Sequence, residues 1–119
     1  GGSIAIADWM IRDDEGRSAE MDAFIESTGL SLFLDSLTGV RTKLEAVGFE
    51  QIEVVNRNAW FRQEARAEAN RLEGELAAAV VSLRGQDATD SSNECQHQMI
   101  KVLDSGEFCP AHFFATKPF

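Results

Sequence analysis

Basic charge is what this sequence most lacks: 11 Lys and Arg stand against 20 Asp and Glu, a formal charge of -9 over 119 residues. No stripe of Lys or Arg is present that could neutralise a phosphate backbone, so nucleic acid is not expected as a partner. No apolar run approaches the ~18 to 20 residues that span a bilayer. The N-terminus has neither the basic nor the apolar region of a signal peptide. The expectation is a cytoplasmic protein without a membrane partner. Cysteine is scarce as well: Cys95 and Cys109 are too few for a disulfide framework. Neither a GxGxxG nor a GxxxxGK loop occurs, so no nucleotide site can be read directly. No Ser, Cys or Lys stands in a recognisable nucleophile motif.

The residues that do offer ligand chemistry are poorly arranged for it. Cys95, His97, Cys109 and His112 make the four soft or borderline donors that a structural zinc takes. Cys95 and His97, however, lie two apart in a helical pattern, about 200° around the axis, and three residues separate Cys109 from His112 in a strand, which sends them to opposite faces. Asp13, Asp14 and Glu15 form a carboxylate run of the kind that is usually a solvated turn. No metal is expected. His97 and His112 have no orienting carboxylate beside them in sequence and read as packed or hydrogen-bonded side chains rather than acid–base groups.

The periodicities present describe an α/β chain, and its 119 residues are the size of a single domain. Ser3 to Trp9 is a short apolar run suited to a strand buried on both faces, central rather than edge. Ile11 to Arg17 is a charged loop, after which Ser18 caps a short helix through Ile25 and Glu26 that Gly29 ends. Ser36 is placed to cap a helix in which Leu37, Val40, Leu44 and Val47 recur at three- and four-residue spacing. Gly48 stops it, and Phe49 folds back on its last turn. Gln51 to Asn56 is a strand. From Ala59 a long amphipathic helix carries Phe61, Ala65, Ala69, Leu72, Leu76, Val80 and Leu83 along one side, with a bend expected near Gly74. Gly85 to Asn93 reads as a polar loop, Asp90 to Asn93 as caps of a last helix reaching about Leu103, and His112 to Thr116 as the final strand. The order is β, α, α, β, α, α, β, which predicts three strands and about four helices.

Four segments in this order, GGSIAIADWM, SAEMDAFIESTGL, LEAVGFEQIEVVNRN and HFFATKP, resemble the C-terminal half of class I S-adenosylmethionine-dependent methyltransferases, and among them the phosphoethanolamine and other small-amine N-methyltransferases. The resemblance covers nearly all of the chain, so residues 1–119 would equal the substrate-side half of such a domain. It implies a partial Rossmann-like sheet whose last strand runs antiparallel between the other two. It also implies that the glycine-rich cofactor loop, the acidic ribose ligand and the general base belong to an N-terminal half. S-adenosylmethionine is then a cofactor only if that companion half is supplied.

Carried over residue by residue, the resemblance places Trp9 and Phe24 at aromatic positions lining the acceptor pocket, and Lys101 near a lysine of the last helix. Thr28 and Leu30 stand where phosphoethanolamine enzymes carry Arg and Tyr for the phosphate, so the phosphate-binding pair is missing. Aromatic faces at Trp9, Phe24, Phe33 or Trp60 suit an amine that becomes cationic as it is alkylated; such side chains are also ordinary core residues. The expected function is therefore the acceptor-side part of a methyltransferase for a small amine or similar polar molecule, not active alone. The rival expectation is an inert module that associates through its open sheet edge with a copy of itself or with another chain; the partner expected is a homodimer mate or the missing N-terminal half.

Overall fold

The computed structural model describes all of Gly1–Phe119. Three strands and five helices follow in the order β1 (Gly2–Ile11), α1 (Ala19–Thr28), α2 (Leu37–Ala46), β2 (Glu50–Asn56), α3 (Asn58–Glu73), α4 (Ala77–Arg84), α5 (Gln86–Asp104), β3 (Phe108–Lys117). The sheet order is β1-β3-β2, with β3 antiparallel to both neighbours. An α/β chain with an antiparallel last strand between the other two is what the sequence predicts.

The register assigns two faces. On one, Ile4, Ile6 and Met10 stand opposite Ala115, Phe113 and Cys109. Met10, Ala111, Phe113 and Ala115 with Leu44 of α2 form a core to which Val40, Phe49 and Ile52 add. On the other face, Ile11 opposite Phe108 leads into a second core, where Met21 and Phe24 of α1 meet Ala65 of α3 and Val102 and Leu103 of α5. The alternation of a strand and the 3.6-residue repeat of the helices thus deliver their apolar sides to two separate cores flanking β3.

The helix ends follow the predicted chemistry. The Ser18 hydroxyl accepts the N–H of Met21 and the Ser36 hydroxyl that of Gly39, and Gly29 and Gly48 take left-handed backbone at φ 67° and 82°, where a Cβ would be strained. Phe49 folds back, its N–H donating to Leu44.

Four expectations need correction. β1 is an edge strand here, not a central one, and Ala5, Ala7 and Trp9 are exposed; its small apolar residues match a buried strand, but these residues leave one side of it unpaired. The long helix is two helices, because Gly74 departs to φ -108°, ψ -107°, which no helix tolerates. Gly85–Asn93 is not a loop: Gly85 is the N-cap of α5 and Gln86–Asn93 its first half. The Thr89 hydroxyl bonds back to the Gly85 carbonyl, the Thr89 side chain is buried, and Gln86 reaches Asp90 one turn on. Tertiary burial and these one-turn contacts outweigh the low helix propensity of the polar run. β3, finally, begins at Phe108 rather than His112. Pro110 fits inside it because β2 has ended at Asn56, and the bond on that side is donated by Arg57 N–H to the Pro110 carbonyl, so the absent proline N–H is not needed there.

Candidate functional site

The end of β1 is where the two cores meet, and the chain leaves a cavity there. It has a volume of about 610 Å³ and is walled by Trp9 and Met10 of β1, Phe24 of α1, Met99 of α5, Phe108 of β3 and the loop Leu30–Asp35. The loop is anchored at its far end: Ser36 bridges Ile11 in parallel fashion, and the Ile11 N–H donates to the Asp35 carbonyl at 2.9 Å. The buried Ser36 hydroxyl does more than cap α2. It donates to Asp14 Oδ2 at 2.9 Å, joining the acidic loop after β1 to the rim of the cavity.

Trp9 lies parallel to Phe108, centroids 4.8 Å apart and planes 6° apart, and meets Phe61 edge-on at 4.8 Å. Phe24 tilts against the same Phe108 at 5.0 Å. Phe108 is therefore the centre of the aromatic wall, with Trp9 and Phe24 as its two predicted members. Phe24 is buried, Trp9 is partly exposed, and at the mouth Leu30 is 63% and Phe33 96% exposed. The cavity is an aromatic pocket whose lip of large apolar side chains is in water.

Lys101 is not brought to this cavity. It is exposed on α5, and Met99 two residues earlier takes the wall position, so Lys101 lies about 200° round the helix from it. Phe33 joins the wall, whereas Trp60 lines a separate, shallower concavity with Trp9, Phe61 and His112. Above Trp60 the guanidinium of Arg57 sits 4.9 Å from the ring centroid; its Nε is buried without a hydrogen-bond partner. Thr28 turns its hydroxyl back to the Ile25 carbonyl at 2.7 Å.

Sequence reasoning missed Phe108, Met99 and the two acidic side chains of the wall, Asp8 and Asp35. Phe108 was hidden by Cys109-Pro110, which breaks the strand pattern, and Met99 by the ordinary look of an apolar helical position. Asp8 Oδ1 accepts the Trp9 N–H at 2.8 Å, and Asp35 pairs with Lys43.

The candidate metal groups are dispersed. Cys95 packs against the core of α1, α3 and α5. His97 pairs with Glu73 at 3.0 Å, and the Cys109 thiol is held above its ordinary range, first by burial. Asp13 accepts the Glu15 N–H at 3.0 Å and the Arg12 guanidinium at 3.1 Å. These contacts, the backbone one first, hold its carboxyl below the usual range. No three His, Cys, Asp or Glu side chains converge as metal ligands would.

Gly16, in the loop after β1, would give an added Cβ nothing to meet within 4 Å, so this glycine makes no close backbone cradle of the kind a nucleotide phosphate takes, and no step of methyl transfer is assigned to the residues of this chain.

This geometry, an antiparallel strand inserted between two others with an aromatic pocket at the sheet end, defines a methyltransferase-like α/β fold with a three-stranded sheet. Solved structures that share it include two of Haemonchus contortus phosphoethanolamine N-methyltransferase 2, one in complex with phosphomonomethylethanolamine and S-adenosylhomocysteine, the other with S-adenosyl-L-methionine. Each superposes on 100% of this chain with a TM-score of 0.85 at 19% sequence identity. At that identity the likeness establishes the fold alone. The chain spans 27% of the length of those enzymes. No protein-family model matches the sequence, and no curated protein does.

Proposed function

We propose that this chain is the acceptor-side segment of an S-adenosylmethionine-dependent methyltransferase acting on a small amine or similar polar molecule, and that the methyl donor is held by a companion segment. The observation that carries the reading is the wall of Trp9, Phe24 and Phe108 at the end of β1, in a fold superposable on the amine methyltransferases. Aromatic faces attract an alkylammonium by ~0.5 to 2 kcal/mol each, and an amine acquires that charge as it is methylated. The pocket's work is to orient the amine and exclude water. Lys101 is given no part in it.

Calorimetry of the isolated chain against S-adenosylhomocysteine tests the division of labour. No saturable heat is expected, since the proposal assigns the donor to the companion segment; saturable micromolar uptake would place the donor site in this chain and contradict the proposal.

A second reading has its own support. The unpaired edge of β1, together with only 16 buried residues out of 119, also suits an inert module that associates through that edge, with a copy of itself or with another chain.

A further inference from the structure

We propose that the cavity at the end of β1 takes a cationic amine with an apolar body and no phosphate group, with Asp8 as its counter-ion. This rests on reading the cavity as the acceptor pocket. Of its 14 lining residues 11 are hydrophobic, and the charged ones are both acidic, Asp8 and Asp35; no Lys or Arg is among them. The two carboxylates are not equivalent. Asp35 already faces Lys43 and accepts the Ser36 N–H at 3.0 Å. Asp8 makes no ion pair; its Oδ1 takes the adjacent Trp9 N–H, which leaves Oδ2 for a guest.

A phosphate in this cavity would meet the unpaired carboxylate of Asp8 with no Lys or Arg in the lining to offset it, an unfavourable meeting of like charges. An ammonium would meet the free oxygen of Asp8 beside the ring of Trp9, a charge-assisted contact reinforced by an aromatic face. The lip specifies the rest of the guest. Leu30 and Phe33 are large, apolar and largely in water, so an aryl or alkyl body leaving the pocket would cover them, whereas a small polar headgroup would not.

The test is an NMR titration of the 119-residue chain, following the Trp9 indole N–H, with 2-phenylethylamine, 2-phenylethanol and phosphoethanolamine. The amine is expected to bind saturably and shift Trp9, the neutral alcohol to bind at least about tenfold more weakly, as loss of a charge-assisted contact implies, and phosphoethanolamine not to bind. Asp8→Asn, whose amide oxygen can still accept the Trp9 N–H, is expected to abolish the preference for the amine over the alcohol; Asp35→Asn is expected to leave it in place. The three-ligand comparison on the unaltered chain needs no variant to fold. Equal binding of amine and alcohol, binding of phosphoethanolamine as tight as that of the amine, no shift of Trp9 with any of the three, or an unchanged preference in Asp8→Asn would each overturn the proposal. Failure of the acceptor-pocket reading would look different: the amine would bind at Trp9 as expected, yet a hybrid carrying this chain in place of the matched segment of the Haemonchus enzyme would methylate no amine.

Discussion

At the scale of single residues, one ring organises the site. Phe108 is buried and packs against both Trp9 and Phe24, so the two predicted pocket residues share a partner that the sequence did not disclose. Trp9 and Phe24 were legible through the resemblance of their segments to a known family, which places aromatics at both positions. Asp8 itself was passed over, since a carboxylate at a strand end is ordinary until the third dimension shows it without a cation. Trp9→Ala removes a stacked and an edge-on aromatic contact, and a loss of about 2 kcal/mol is expected for such a partly exposed site, below the 3 to 5 of a fully buried one. Trp9→Phe keeps a ring against Phe108 and is expected to lose less than half of that. Urea unfolding measures both; equal losses would mean that the stack contributes little.

Among the elements, the caps and stops were readable because they are local: Ser18, Ser36, Gly29 and Gly48 act within one turn of themselves. What escaped depends on contacts far along the chain. The first half of α5 is helical because Thr89 is buried and Gln96 reaches the Ala65 carbonyl of α3. Asn58 at the start of α3 ties the end of α5 to the start of β3, its amide donating to the carbonyls of Leu103 and Phe108 at 2.9 and 2.8 Å. No period in the sequence announces such a brace. The same two helices are clamped at their surface by Arg62 and Arg66 on Asp104. The hydrogen bond from Arg66, and then Arg62, holds the Asp104 carboxyl below the usual range. A depressed folded-state pKa means that the clamp's contribution is fully present above the ordinary aspartate value and is lost as the pH falls through the lower one. The pair is solvent-exposed, so about 0.5 kcal/mol is expected at neutral pH. Asp104→Asn should therefore be slightly less stable than the parent near pH 7 and indistinguishable from it in acid below the folded-state value, where the Asp104 carboxyl is protonated. Urea unfolding at both pH values reads the difference, and a gap that persisted or grew in acid would remove the clamp from the account.

The whole molecule is longer than its size requires. Its radius of gyration is 17.1 Å and its extents are 55 × 28 × 23 Å, where a compact domain of this length has a radius of about 13 to 14 Å. One edge of β1 is unpaired, Trp60 and Phe114 lie half in water, and α4 has no fully buried residue. Such surfaces suit the proposed segment that finishes its packing against a companion, in which the pocket at the end of β1 would be one wall of a larger site. The sheet order was legible only through the resemblance of four segments to a known fold, since strand periodicity alone gives faces but not neighbours. Methyl transfer by a hybrid tests this most directly: the chain replaces the matched segment of Haemonchus contortus phosphoethanolamine N-methyltransferase 2, and incorporation of label from S-adenosylmethionine into amines is followed. The account predicts methylation of an amine, lost in the Trp9→Ala hybrid. A hybrid that folds and binds S-adenosylmethionine yet labels no amine would contradict it.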